Sequence, residues 1–315
     1  MSAKIVIRQV DTQCYQWLHG GQPGGVAQTG NLSKLKQACD DDSQLVLLAA
    51  AEHCTLKQCQ YEDSEYKLLR QILPYQLEEE LLADVENLHF ALGQAAQNQA
   101  PVAIINRDLL AQWIADFAEQ GLEIQRIVPE VIMLPWLDNQ WTLLVDDQRW
   151  LIRTGQYSGF AMEAELAILT LQLLASEQHL PASLVLYCQE SARESVKSLL
   201  PESLRHLVLW QSGSYWPVIA GVKLDQEPLD LLQGEFVRSL PWKKWWGAWR
   251  VAAILLAVAI GLKLAVNITE QQALERRNVQ LRADIEQAYR SAVPKGALMN
   301  PEKQLRHFLR LSPNQ

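Results

Sequence analysis

Apolar positions in residues 4–10 and 15–18 are spaced as in the two strands of a hairpin, and residues 44–51 form the continuous apolar run of a strand buried on both faces. Helix is expected over 64–72, Pro74 interrupts it, helix resumes over 76–83, and a short apolar run fills 89–92. Strand 102–106, helix 107–119 and strand 123–128 follow, with Gly121 as the stop between the last two. From Trp141 the order begins again: strands 141–145 and 150–153, helix 162–176, strand 183–187, a further helix, and strand 207–210. Two successive ββ then αβα halves are the ground plan of a duplicated actin-like (RNase H-type) α/β domain, expected over residues 1–240.

Beyond residue 240 alternation gives way to saturation. Residues 245–268 are almost wholly apolar apart from Arg250 and Lys263, and as a helix they extend about 36 Å, enough to cross a bilayer. The uninterrupted stretch 251–262 covers only about 18 Å, which a buried soluble helix also matches. Trp242, Trp245, Trp246 and Trp249 fall at i, i+3, i+4 and i+7 beside Lys243, Lys244 and Arg250, as interfacial anchors do. Lys263 costs roughly 3 kcal/mol at a bilayer centre, and its nearness to Asn267 lets it snorkel outward. A transmembrane helix with a tryptophan-rich entry is therefore expected over 241–268.

A heptad continues past it over 269–294, with Leu274, Leu281 and Ala288 at d and Asn278, Ile285 and Ala292 at a. A short parallel coiled coil, whose one polar seam residue fixes register, is therefore expected, with a single amphipathic helix as the alternative that three turns of seam are too few to exclude. Pro294 ends the pattern.

Charge divides the chain at the same boundary. Residues before Trp242 hold 16 Lys and Arg against 31 Asp and Glu, and the remainder holds 12 against 5. An acidic body argues against nucleic acid as its partner, since phosphate binding needs a concentrated cationic surface. Cys14, Cys39, Cys54, Cys59 and Cys188 all precede the apolar stretch, in keeping with a reducing compartment for the body. The first ten residues lack the apolar run of a secretory signal, so the expected topology places the N-terminus in the cytoplasm and the C-terminus outside it. Arg276, Arg277 and Arg282 lie on the far side of the helix and weaken the charge argument for that orientation.

Candidate chemistry is sparse. His53, Cys54 and Cys59 invite a zinc reading, but no second ligand pair follows at finger spacing, and no metal or cofactor is expected. The turns that would cradle phosphate in an actin-like cleft read Asp11, Thr12, Gln13 and Asp146, Asp147, Gln148, Arg149, where close approach and positive φ favour glycine. A third glycine pair appears only as Ala220 and Gly221. The Walker, HExxH and G-x-S-x-G patterns are absent, and residues 20–25 read as a glycine-rich loop. No catalytic residue is assigned. Glu78, Glu79, Glu80, Asp84 and Glu86 form an acidic stretch that serves as a docking face for a basic partner or, more simply, as a solvated surface.

Several segments together resemble the L protein family of the type II secretion system. LPYQLEEELLADVENLHFA at 73–91 resembles the family's acidic stretch, and PEVIMLPW at 129–136 its Pro-x-x-x-x-Leu-Pro-Trp link. DLLQGEF at 230–236, just before the tryptophan-rich entry, resembles the family's Leu-Leu-Gln-Gly-Glu-Phe signature, and NPEKQ at 300–304 resembles the opening of its periplasmic domain, with Glu302 departing from the usual basic residue. The resemblance implies an inner-membrane platform component that recruits the secretion ATPase, the E component, through its cytoplasmic domain. It also implies that the membrane and periplasmic helix pairs with the M component and with itself, with the major pseudopilin as a further partner. Residues 295–315 would then be the lead-in to a ferredoxin-like periplasmic domain that these 315 residues do not include. The rival reading is a membrane-attached actin-like ATPase or nucleotide-dependent switch.

Overall fold

The computed structural model describes residues 4–20, 25–40, 42–62, 68–96, 98–147, 149–177, 180–222, 229–237 and 242–292. Contacts divide the chain into two units, residues 1–238 and 239–315.

In the first unit β1 (Lys4–Asp11), β2 (Cys14–His19) and β3 (Gln28–Gly30) form an antiparallel meander, and α1 (Leu32–Ala38) carries the chain to β4 (Gln44–Ala49). The run Leu45 to Ala49 is buried throughout, as a strand covered on both faces requires. An insertion follows: β5 (Cys54–Gln60), α2 (Leu69–Leu77), β6 (Leu88–Leu92) and β7 (Gln99–Asn106), whose strands form a separate antiparallel sheet in the order β5-β7-β6. The chain then returns through α3 (Arg107–Glu119) to β8 (Ile124–Pro129), completing the order β3-β2-β1-β4-β8. Asn106 caps α3, its side chain accepting from Leu109 N at 3.0 Å, and Gly121 leaves the helix at φ +65°.

The second half repeats this path. Strands β9 (Gln140–Asp146), β10 (Arg149–Gly155) and β11 (Ser158–Glu163) precede α4 (Ala164–Glu177) and β12 (Ser183–Cys188). Then come α5 (Arg193–Leu199), α6 (Glu202–Arg205), β13 (Val208–Ser212) and α7 (Tyr215–Ala220). The sheet order, β11-β10-β9-β12-β13, is that of the first half position for position. The fold is thus the duplicated actin-like α/β arrangement, with a small sheet inserted after the fourth strand of the first half.

The PEVIMLPW link is the seam between the halves. Val131 to Leu134 are buried in a core that also holds side chains of β1, β4, β10 and β11. Arg153 holds the link from below, NH1 donating to Ile132 O at 2.6 Å and Leu134 O at 2.5 Å.

Three expectations need correction. Pro74 lies inside α2 rather than ending it, and the helix stops at Leu77, giving way to a 3-10 turn over Glu78–Glu80 instead of running to 83. A helix of nine residues loses a single backbone bond to proline, and burial of Leu69, Leu73 and Leu77 on one face offsets that loss. Residues 63–67 of the expected helix lie outside the described residues. Residues 102–106 belong to the inserted sheet rather than to the first half's main sheet. Residues 162–163 end β11, so α4 starts at Ala164.

The second unit is described as one continuous helix, α8 (Trp242–Ala292), about 76 Å long at the standard rise. Its segment Ala253–Ala288 reaches a mean hydropathy of 1.8 in an 18-residue window, with none of that window buried. Trp249 and Arg250 are exposed; Trp242, Lys243, Lys244, Trp245 and Trp246 are helical, and their side chains lie outside the described residues. The 3.6-residue period runs unbroken from the tryptophans through Lys263 to the expected seam.

Candidate functional site

A cavity of about 660 Å³ opens between the two halves, where the β1–β2 and β9–β10 turns and the first turns of α3 converge. Its lining brings six carboxylates together, Asp11, Glu52, Asp116, Glu130, Asp146 and Asp147, against Arg8 and Arg149. Both arginines are already engaged. Arg8 NH1 meets Asp146 Oδ2 at 2.6 Å, Nε donates to Gln16 Oε1 at 2.9 Å, and the guanidinium stacks 3.7 Å from the Tyr215 ring centre. Arg149 NH2 donates to Glu52 Oε2 at 2.7 Å, and NH1 to Glu130 Oε1 at 3.0 Å.

Glu130 is the buried centre of this brace. Only 2% exposed, it accepts from Arg149, from Tyr215 OH at 2.6 Å and from Ala51 N at 3.3 Å. Burial opposes the charge on Arg149, yet the hydrogen bonds it donates to Glu52 and Glu130 raise its pKa above the ordinary arginine value. Burial likewise opposes ionisation of Glu52, and the Arg149 hydrogen bond and charge outweigh it and lower the pKa. Burial, followed by the Glu130 charge, pushes Tyr215 well above the usual phenol range, so its hydroxyl remains a donor. Charge-assisted bonds therefore cross the cleft from Arg8 of β1 to Asp146 of β9 and from Arg149 of β10 to Glu52 and Glu130, just beyond the ends of β4 and β8.

An incoming triphosphate meets an unfavourable surface. The turn tips present Asp11 and Asp147, and Asp147 holds the left-handed φ of +54° that glycine would adopt at less cost. Gly221, which caps α7, sits at φ −71° and uses no glycine-specific conformation. Of the loop at 20–25, residues 21–24 lie outside the described residues, as does Gln148.

The cysteine reading dissolves in the geometry. Cys54 packs in the core between the halves, with burial pushing its thiol up to about 12, whereas Cys59 packs in the separate core of the inserted sheet. His53 stacks edgewise on Trp113. Among the described residues no group of three or more His, Cys, Asp or Glu is placed to hold a metal.

The feature that sequence periodicity does not show is the strap formed by Leu229 to Phe236. Asp230 Oδ1 accepts from Ile127 N at 3.1 Å and Leu232 N at 3.0 Å, and Leu231 N donates to Ile127 O at 2.8 Å, so the segment adds to the open edge of β8. Gln233 pairs with the edge of β6 in both directions, donating to Leu92 O at 2.8 Å and accepting from Leu92 N at 3.2 Å. Arg70 of α2 donates to the same Gln233 Oε1 at 2.7 Å. Gly234 turns at φ +60°, Glu235 pairs with Arg107 at 2.8 Å, and Phe236 meets His89 edge to face at 5.0 Å. His89 Nε2 donates to Leu231 O at 2.8 Å. Each letter of DLLQGEF thus has a structural duty, and the strap clamps the inserted sheet to the first half just before the chain leaves the unit.

The acidic stretch is elsewhere, on the outside of the insertion. Glu78, Glu79, Asp84 and Glu86 are exposed, and Glu80 is paired with Lys57. On α8, Leu274, Asn278, Leu281 and Ala288 are exposed and Ile285 is half-buried. The residues of the acidic stretch are not part of the cleft's lining.

Comparison with known proteins agrees with this reading of the motifs. A family model described as "Type II secretion system (T2SS), protein L" matches residues 11–238. The chain is 27% identical over 242 residues to the type II secretion system protein L of Dickeya chrysanthemi, covering 76% of this chain and 57% of that one. It is 26% identical over 276 residues to the protein of the same name from Vibrio cholerae serotype O1, covering 86% and 65%. The chain therefore spans about six tenths of the length of these relatives. Its fold is similar to that of the cytoplasmic domain of EpsL, described as an inner-membrane component of the type II secretion system of Vibrio cholerae. That match has a TM-score of 0.60 at 21% identity and covers 75% of this chain and all of that one. With 228 consecutive residues under the family model and its strap signature in structural use, this chain belongs to the type II secretion system protein L family.

Proposed function

We propose that this chain is a non-enzymatic adaptor in the inner-membrane platform of a type II secretion system. Its actin-like body recruits the cytoplasmic secretion ATPase, and α8 crosses the membrane once and couples that body to the periplasmic machinery, pairing with itself and with the M component. The strap carries this reading. The covalent path from the body toward residue 239 runs through residues 229–237, where the Leu231 backbone is bonded to β8 and the Gln233 side chain to β6. The braced cleft supports the absence of catalysis, because its arginines are occupied by protein carboxylates and the remaining charge repels phosphate.

The experiment is reconstitution of the full chain in nanodiscs with the purified secretion ATPase. The ATPase should co-purify with the nanodisc and turn over faster, and the chain alone should show no ATP turnover. With Gln233→Ala the ATPase should still bind while its stimulation falls. Failure of the ATPase to associate, or turnover by the chain alone that disappears in Asp146→Ala, would overturn the adaptor reading.

A further inference from the structure

Helix α4 is rich in leucine, isoleucine and alanine, a composition that belongs to buried helices, yet it lies at the surface of its half, where Glu165, Gln172 and Ser176 are among its exposed polar residues. Its inner face, with Ala167 and Leu171 fully buried, packs on the second sheet. Its outer face presents Leu166, Leu169 and Leu173, which are 57%, 60% and 54% exposed. Their spacing of i, i+3 and i+7 puts them in one ridge.

The duplicated fold supplies an internal control. The helix after the third strand of the first half is α1, with seven residues to the fourteen of α4, and it exposes Ser33, Lys34, Lys36 and Gln37. The topological position therefore does not require an apolar outer face. Three leucines there lose the hydration advantage of polar residues without gaining burial, which is the mark of a surface that a partner covers.

Charge decides what covers it. Glu163, the last residue of β11, and Glu165, in the first turn of α4, are both exposed at the start of the ridge, and α4 contains no Lys or Arg. The residues before Trp242 hold 31 carboxylates against 16 cations, so a second copy of this body and an anionic lipid surface are both repelled. We infer that the outer face of α4 is a docking ridge for an amphipathic helix of another protein, one whose apolar stripe is bordered by Lys or Arg. Leu166, Leu169 and Leu173 interdigitate with that stripe, and Glu163 and Glu165 set its direction by pairing with the cationic border.

This inference stands apart from recruitment of the ATPase. It is tested with the full chain in zwitterionic-lipid nanodiscs and two fluorescent 18-residue helical peptides. Both carry the same leucine stripe, bordered by Lys in one and by Glu in the other, and empty nanodiscs provide the reference. The Lys-bordered peptide should bind saturably and at least tenfold more tightly than the Glu-bordered one. The triple variant Leu166→Gln, Leu169→Gln, Leu173→Gln should weaken binding at least tenfold with thermal unfolding unchanged, and Glu163→Lys with Glu165→Lys should reverse the preference. Equal binding of the two peptides, binding by neither, or binding indifferent to the triple variant overturns the inference. A fall in self-association of the triple variant, read by mass photometry, also overturns it and assigns the ridge to a second copy. Loss of peptide binding with the ATPase still recruited leaves the inference standing and separates it from the adaptor reading.

Discussion

His89 of β6 is buried against the strap and donates its Nε2–H to the Leu231 carbonyl. Burial lowers its pKa, and the hydrogen bond to Leu231 opposes that shift only in part. The folded chain therefore holds fewer protons at this site than the unfolded chain does, and stability rises with pH across the interval between the two values. The contribution is fully present above the unfolded value of about 6.5 and is lost as pH falls from there toward the lowered folded value. Thermal unfolding of the native chain between pH 7.5 and 5.5 should accordingly show a loss that His89→Gln, which keeps a donor but does not titrate, largely removes. His89→Ala should cost about 1 to 3 kcal/mol at neutral pH by orphaning the buried carbonyl. A pH profile identical in the native chain and in His89→Gln would show that the ring does not govern this contact.

Elements differed in how plainly the chain announced them. Helix α3 was legible to the residue because Asn106 caps it, Gly121 ends it and Leu110, Trp113 and Phe117 keep one face apolar. Strand β5 was not, since CTLKQCQ carries polar residues at four of its seven positions and draws its stability from pairing with β7. Strand β11 was hidden because FAME reads into the helix that follows, and β3 because three residues are too few to show a period. The strap has no period at all; its side chains bond to backbone edges, and such bonds leave no hydrophobic pattern. The cleft was legible in the residues of its turns but not in its brace, because Arg8, Arg149, Glu130 and Tyr215 meet only through the duplicated topology. At this scale α8 makes its own prediction. If Leu274, Leu281 and Ala288 with Asn278 and Ile285 form a parallel seam, an unpaired Asn278 amide would lose bonds worth about 1 to 3 kcal/mol, so the helices should pair in register. Cysteines at Leu274 or Leu281 should crosslink between chains far better than cysteines at Arg276 or Gln280. Equal crosslinking at all four positions would exclude the seam, and a product of mixed mass would assign it to the M component.

The whole chain places opposite charges on opposite sides of its apolar stretch, and this frames the question of which side faces the cytoplasm. The acidic body holds all five cysteines as free thiols, which a reducing compartment preserves. Lys243 and Lys244 lie immediately before the apolar stretch and Arg250 within its first turns, inside the range over which basic residues are retained on the cytoplasmic side. Arg276, Arg277 and Arg282 oppose them from the other end, but the first of these lies eight residues past Ile268, so the nearer cluster has the stronger hold. Lys263, snorkelling toward the polar residues that begin at Asn267, would add a fourth basic residue to that far side, against which the expected topology relies on the adjoining Lys243, Lys244 and Arg250. The expected topology is a single crossing with the body inside. A phosphatase reporter that is active only outside the cytoplasm, fused after Arg290, should be active, and the same reporter fused after residue 240 should be silent. Replacing Lys243, Lys244 and Arg250 together with Gln should lower the active fraction of the first fusion, because the remaining arginines then favour the opposite insertion. A silent fusion after Arg290 paired with an active one after residue 240 would invert the topology, and with it the compartment in which the body meets its partners.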